Sequence, residues 1–227
     1  MAINIEKRVE KVGIILEKKN LKNIACQVKL GIDRSGSMDS LYRNGTVQDV
    51  VERILAVGIQ FDMDKSIDVW AFSHKSYPVK TVTLPIMENY VKKEIEAKVP
   101  AGSTSYAPTF GDILEASKGE KGKKGLFGFG KTADKPADPT LVVFITDGEN
   151  DDQREAEKII KESQSENIYW LLVGIGRANF TFIENMGDKY PNCGFVAIDD
   201  VSTIDDDDLY SALLNDELAT WFKKFQK

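Results

Sequence analysis

The sequence predicts a single three-layer α/β domain, in which helices cover both faces of a mostly parallel sheet that carries one antiparallel edge strand. Strand-like and helix-like segments alternate along the chain, which is typical of parallel sheets because helices make the crossovers. Residues 140–145 form a continuous apolar run, as expected of a strand buried on both faces. The length of 227 residues, with 42% hydrophobic and 29% charged residues, fits a globular chain with one main core.

The first part of the chain supplies a leading helix and the first strands. Residues 3–19 repeat apolar side chains at helical spacing between lysines and glutamates, which predicts an amphipathic helix packed on the domain. We therefore divide the chain into a leading segment, residues 1–22, and the domain itself, residues 23–227. The elements expected next are a strand at 26–32, a helix over 46–59, a strand at 66–72 and an edge strand at 77–84 entered through Pro78.

The second part continues the same alternation. Residues 88–98 predict a short charged helix, and Pro108 suits the first turn of the helix that follows. A lysine- and glycine-rich insertion at about 118–139 is expected to be flexible. After the buried strand at 140–145, the expected elements are a helix at 152–163, a strand at 168–173, a short helix near Phe180, a strand at 194–198 and one closing helix over 209–222.

Charge and apolar patterning argue against two kinds of partner. The net charge of −6 disfavours nucleic acid, because binding phosphates requires a dominant basic face. The longest apolar stretches, 141–145 and 169–173, fall far short of the roughly 20 residues that cross a bilayer, so we expect no membrane span. Charged residues at positions 6–8 fall where a signal peptide would be apolar. The chain has only two cysteines, Cys26 and Cys193, which fits a reducing compartment. Both observations predict a cytoplasmic location.

Three polar loops follow or adjoin predicted strands and supply oxygen ligands. Residues 33–37 follow the first strand, a second loop is centred on Thr104, and Asp147 follows the buried strand. Ligands of open parallel sheets bind at the carboxyl ends of the strands, where these loops should meet. Carboxylates and hydroxyls without imidazole or thiolate favour a hard cation, Mg²⁺ before Mn²⁺ or Ca²⁺, over zinc. An open position on such an ion would accept a carboxylate from a partner.

The three loops together resemble the metal-ion-dependent adhesion site of the von Willebrand factor A (vWA) family. That site combines a D-x-S-x-S motif after the first strand, a threonine in a glycine-rich loop, and an aspartate in a hydrophobic-T-D-G turn. The resemblance implies a Rossmann-like three-layer fold over residues 24–222, with the serines and threonine contacting the metal and the aspartates often acting through water. The residues that match the motif are Asp33, Ser35, Ser37, Thr104 and Asp147.

A narrower similarity concerns the bacterial and phage vWA branch associated with tellurium resistance and stress response. It is found in residues 35–42, 61–62, 68–73 and 104–108. This resemblance implies a non-enzymatic module whose metal binds an Asp or Glu of a protein partner. The loop around Thr104 departs from the usual Gly-Gly-Thr, so either Ser103 or Ser105 could take the place of Thr104 as a ligand.

Residues 125–132 match the phosphate-loop pattern G-x-x-x-x-G-K-T, which raises the alternative of nucleotide binding. A phosphate loop needs a buried strand before it and a helix after it. Residues 118–124 are too polar for that strand, and Pro136 and Pro139 interrupt the helix. A flexible loop is therefore favoured, with docking through Leu126, Phe127 and Phe129 as a further interpretation.

Hydrolytic chemistry is a second alternative. His74 is the only histidine, so a Ser-His-Asp arrangement would have to use it, and Ser35 lacks the G-x-S-x-G frame of a nucleophile elbow. Asp33 also lacks the second aspartate two positions later that an aspartate phosphotransferase of similar topology would use. A metal-dependent phosphatase or nucleotide hydrolase that uses the same metal remains the alternative to a binding module.

Overall fold

The computed structural model describes residues 5–22, 24–62, 64–118 and 139–226. Seven strands form one sheet in the order β3-β2-β1-β5-β6-β7, with β4 paired to β2. β1, β2, β5, β6 and β7 run parallel, whereas the short β3 and β4 are antiparallel to β2. The strands are β1 Gln27–Asp33, β2 Ser66–Phe72, β3 Ser76–Pro78, β4 Val82–Thr83, β5 Thr140–Thr146, β6 Ile168–Ile175 and β7 Cys193–Ile198.

Helices lie on both faces of this sheet. Two separate hydrophobic clusters show the layers, because Leu141, Val143 and Ile145 of β5 enter one cluster and Val142 and Phe144 enter the other. The predicted three-layer α/β fold is thereby confirmed. The helices are α1 Ile5–Lys18, α2 Asp39–Arg43, α3 Thr46–Phe61, a π-helical segment Val91–Glu96, α4 Ala107–Ser117, α5 Gln153–Glu162, α6 Thr181–Lys189, α7 Asp206–Leu213 and α8 Asp216–Phe222.

The leading helix α1 packs against α3 and α7. Its Arg8 is only 1% exposed, and its guanidinium lies 2.5 Å from Asp49 of α3 and 3.4 Å from Asp206 of α7. Buried charges persist only when they are paired, so these contacts fix the position of α1 as well as its orientation. None of the helices in the described ranges is long and apolar enough to cross a membrane.

Two predicted elements are each divided in the structure. The strand expected at 77–84 becomes β3 and β4, because Pro78 has no N–H to donate to the ladder and β3 ends there. Val79 N still donates to Val69 O of β2 at 3.0 Å. The single closing helix was also a wrong prediction. Asn215 interrupts it and caps α8 by accepting a hydrogen bond from Leu218 N at 2.9 Å.

The predicted lysine- and glycine-rich insertion at about 118–139 falls almost wholly outside the described residues. Residues 119–138 lie outside the described residues, and with them the phosphate-loop-like pattern and the docking residues Leu126, Phe127 and Phe129. Its flexibility and its docking role stay predictions.

Candidate metal centre

Adjacent strands β1 and β5 bring two of the predicted ligands to the same edge of the sheet. Ile32 of β1 is in register with Ile145 of β5, so Asp33 ends β1 beside Thr146 and Asp147. The Asp33 side chain is fully buried, and its Oδ1 accepts from Ser35 N at 2.6 Å. The Thr146 hydroxyl donates to Asp33 Oδ2 at 2.6 Å. Both carboxylate oxygens of Asp33 are therefore held by neutral donors.

A chain of hydroxyl groups connects the first loop with Asp147. Ser35 Oγ lies 3.0 Å from Ser37 Oγ, and Ser37 Oγ donates to Asp147 Oδ1 at 2.8 Å. The D-x-S-x-S segment turns tightly after β1, with a 3₁₀ helix over Gly36–Met38. Four of the five predicted site residues thus lie within one hydrogen-bonded group.

The Thr104 loop reaches the same edge through its backbone. Gly102 forms an isolated parallel bridge with Ser35, and Gly36 N donates to Gly102 O at 3.3 Å. A Cβ atom at Gly102 would lie 2.8 Å from His74 Nδ1, so glycine permits this close approach. The Thr104 hydroxyl makes no hydrogen bond to the other four predicted ligands in the part of the chain that the structure describes. The structure therefore does not choose among Thr104, Ser103 and Ser105.

The two carboxylates share an unfavourable electrostatic environment. Burial raises the pKa of Asp33 to about 6, and the neighbouring Asp147 charge adds to the rise, although hydrogen bonds from Thr146 and Ser35 oppose it. Burial likewise raises the pKa of Asp147 above its usual value, against a hydrogen bond from Ser37. Across the described ranges, no lysine or arginine forms an ion pair with either carboxylate. A bound cation would supply the missing positive charge.

The donor set fits a hard divalent cation. Two carboxylates neutralise its charge and up to three hydroxyls complete an oxygen shell, as Mg²⁺ prefers. In the described parts of the chain, no cluster of three or more His, Cys, Asp or Glu side chains is arranged to hold a metal. The hydroxyl groups of the serines and threonine are therefore essential to this candidate centre.

Three supporting residues were not predicted from the sequence. Tyr42 Oη donates to Asp33 O at 2.8 Å, which fastens α2 to the end of β1. Asp152 accepts from Tyr106 N at 2.9 Å and Ala107 N at 2.8 Å, so it caps α4 and holds the Thr104 loop. Thr146 lies within the T-D-G turn and could have been found there. Asp152 acts across 46 residues, a separation that no local pattern indicates.

Comparisons with known proteins agree with this architecture. The family model vWA-TerF-like, described as the vWA found in the TerF C terminus, matches residues 25–227. The chain is also 35% identical over 227 residues to the uncharacterized protein YcbR of Bacillus subtilis (strain 168), covering 97% of this chain and 87% of YcbR. The family-model match confirms the predicted vWA resemblance, and YcbR is a related protein.

Solved structures with the same fold are more distant in sequence. A von Willebrand factor type A protein from Catenulispora acidiphila aligns with a TM-score of 0.58 at 15% identity, over 82% of this chain but only 41% of its own length. The manganese-loaded TRAP protein of Plasmodium vivax aligns with a TM-score of 0.56 at 14% identity, over 86% of this chain and 74% of TRAP. At these identities the likeness establishes the fold alone.

Proposed function

The chain belongs to the vWA family, in the group found in the TerF C terminus, and from that premise we propose that it is a metal-dependent protein-binding module. Mg²⁺ is the proposed ion, with Mn²⁺ or Ca²⁺ as substitutes, and the proposed ligands are Asp33, Ser35, Ser37, Thr104 and Asp147. The bound ion supplies an electrophilic coordination position that takes an Asp or Glu carboxylate of a partner. The proposed setting is a cytoplasmic stress-response or phage system related to tellurium resistance.

The hydrogen-bonded group of Asp33, Ser35, Ser37 and Asp147 carries this proposal. It joins two carboxylates through hydroxyl groups at the carboxyl ends of two neighbouring parallel strands, where α/β sheets bind ligands. Neutral donors fix the orientation of Asp33, while Ser37 fixes that of Asp147. The manganese-loaded state of TRAP, a protein with this fold, adds support for a divalent ion.

Calorimetric titration of Mg²⁺ and Mn²⁺ tests the metal centre. We expect saturable binding by the wild type and its loss in Asp147→Ala. Asp64→Ala is the matched control, because Asp64 is exposed and lies just before β2, at the opposite edge of the sheet. Binding that survives in Asp147→Ala, or that is absent from the wild type, would contradict the proposed centre.

Partner capture tests the binding role. Proteins retained by the immobilised wild type in Mg²⁺ should be released by EDTA, absent from the Asp147→Ala column and present on the Asp64→Ala column. Capture that persists through EDTA and Asp147→Ala would contradict metal-dependent binding. Metal-dependent hydrolysis of generic phosphate esters or ATP, lost in Asp147→Ala, would instead support the enzymatic alternative.

A further inference from the structure

One buried tyrosine connects the Thr104 loop with the turn that holds Asp147. Tyr106 follows Thr104 in the loop and lies just before the start of α4. Its side chain is fully buried. The hydroxyl donates to Gly148 O at 2.5 Å and lies 3.1 Å from Thr146 Oγ1. Tyr106 therefore contacts the residues on both sides of Asp147.

Packing fixes the direction in which this hydroxyl points. The ring of Tyr106 lies edge-on to Phe144 of β5, with centroids 5.1 Å apart, and edge-on to Phe72 of β2 at 5.7 Å. Phe110 of α4 is a third aromatic neighbour, at 5.9 Å. Such contacts are favourable, and a ring in a close-packed interior has little room to move. The backbone N–H of Tyr106 is held as well, because it donates to Asp152 Oδ1 at 2.9 Å. Both the backbone and the side chain of Tyr106 are thus fixed.

This tie acts close to the candidate metal ligands of two loops. The three candidate hydroxyl groups of the Thr104 loop, at 103–105, all lie within three residues of Tyr106. On the other side, Gly148 follows Asp147 directly. The hydrogen bond from Tyr106 Oη to Gly148 O therefore limits how far the loop hydroxyl and the Asp147 carboxylate can separate.

The spacing of the ligands determines which ion fits between them. Mg²⁺ requires nearly octahedral oxygen ligands at about 2.0–2.1 Å, whereas Ca²⁺ accepts longer bonds of about 2.3–2.6 Å and irregular shells. A site whose two walls separate easily therefore loses affinity for Mg²⁺ before it loses affinity for Ca²⁺. A fixed link between the walls favours the smaller ion.

We propose that Tyr106 is a positioning residue that sets the selectivity of the metal centre for Mg²⁺ over Ca²⁺. This inference rests on the metal-binding function proposed above. Tyr106 supplies no ligand to the ion and acts through the two loops. Its hydroxyl holds the turn at Gly148 while its backbone carries the Thr104 loop, so the walls of the site keep the spacing that Mg²⁺ requires.

Calorimetric titrations of Mg²⁺ and Ca²⁺ on the whole chain test the proposal. Tyr106→Phe removes the hydroxyl and keeps the ring. We expect the Kd for Mg²⁺ to rise about tenfold, as for other residues that support metal ligands, and the Kd for Ca²⁺ to rise less than about threefold.

Tyr210→Phe is the matched control. Tyr210 is also fully buried, and its hydroxyl donates to a backbone carbonyl, Arg53 O, at 3.3 Å. It belongs to the core cluster on the other face of the sheet from Tyr106. The control therefore loses the same kind of hydrogen bond, and both Kd values should stay unchanged.

Amide hydrogen exchange, measured by NMR in EDTA, gives a readout that does not involve metal. Asp151 N donates to Thr104 O at 2.9 Å, so the exchange of this amide reports on the contact between the two loops. The amide should exchange faster in Tyr106→Phe than in the wild type or in Tyr210→Phe. If Tyr106→Phe fails to fold, Asp152→Asn takes its place, because it weakens the hold on Tyr106 N and should also lower the preference for Mg²⁺.

The two proposals fail in different ways. Absence of metal binding by the wild type would overturn both the proposed function and the role of Tyr106. If the wild type binds metal, an unchanged ratio of the two Kd values in Tyr106→Phe, or in Asp152→Asn where it stands in, would overturn the role of Tyr106 alone. An equal change of the ratio in Tyr210→Phe, or unchanged exchange of the Asp151 amide, would do the same.

Discussion

Asp33→Asn should stabilise the metal-free protein while abolishing metal binding. Burial raises the pKa of Asp33 from 3.8 to about 6, so the native state binds its proton more tightly than the unfolded state does. A shift of about two units corresponds to about 3 kcal/mol of unfolding free energy. Asparagine loses about 1 kcal/mol, because its N–H₂ group cannot accept the hydrogen bond that one oxygen of Asp33 now accepts, from either Ser35 N or the Thr146 hydroxyl. The net expected gain is about 2 kcal/mol.

The sign of this effect determines its pH dependence. A raised carboxyl pKa means that the wild type carries the full penalty above pH 6 and loses it progressively as the pH falls from 6 to 3.8. The advantage of Asp33→Asn should therefore be greatest at pH 7.5 and reach zero at about pH 4.5, where the remaining penalty equals the cost of the amide. At lower pH the variant should be less stable than the wild type, by up to about 1 kcal/mol. Saturating metal acts in the opposite direction, because a ligand at one hundred times its Kd adds about 2.7 kcal/mol to the wild type alone.

Urea unfolding followed by circular dichroism measures these free energies. The wild type and Asp33→Asn are compared at pH 7.5 and pH 4 in EDTA, and again at pH 7.5 with Mg²⁺. Asp64→Asn, which removes an exposed carboxylate at the other edge of the sheet, controls for the change in net charge. Equal stability of the wild type and Asp33→Asn at pH 7.5 in EDTA, or a difference that does not depend on pH, would refute the reasoning.

Three further predictions concern single side chains. Ser37→Ala should weaken metal binding about tenfold in calorimetry while changing urea stability by less than about 0.5 kcal/mol, and an unchanged affinity would remove Ser37 from the centre. Gly31→Ala should lower the free energy of urea unfolding by about 1–3 kcal/mol, because the new Cβ atom would lie 2.4 Å from the Phe144 ring. Unchanged stability would show that the Phe144 side chain moves aside at little cost. Asn215→Ala should lower the free energy of urea unfolding by about 1 kcal/mol, because it removes the N-cap hydrogen bond of α8. Unchanged stability would show that packing alone defines where α8 begins.

The strands and the loops of the candidate metal site could be predicted from local sequence, whereas the contacts between loops could not. The apolar run of β5 and the polar residues that end it predict both a buried strand and the place of Asp147. That β1 lies next to β5 depends on the sheet order, which sequence periodicity does not encode. The same limit applies to Gly102, whose bridge to Ser35 joins segments far apart in the chain.

The break between α7 and α8 was missed for a different reason. The apolar spacing from Leu209 to Phe222 continues through the break, so periodicity alone predicts one helix. Asn215 is a strong N-cap residue, and its side chain competes locally for the backbone N–H groups of the next turn. Capping preference, weighed together with periodicity, would have divided the helix correctly.

The position of Arg34 explains why Asp33 has no cationic partner. Arg34 is the next residue in the chain, and an ion pair with Asp33 would lower the pKa of that carboxyl and stabilise the metal-free fold. Instead, its guanidinium lies 2.6 Å from Asp39 and 4.8 Å from the Tyr42 ring centroid. A cation held at Asp33 by the protein itself would repel a metal ion from the same carboxylate. The metal-free fold is therefore less stable at Asp33 than it would be with an Arg34 ion pair, as expected if the proposed divalent ion binds this carboxylate.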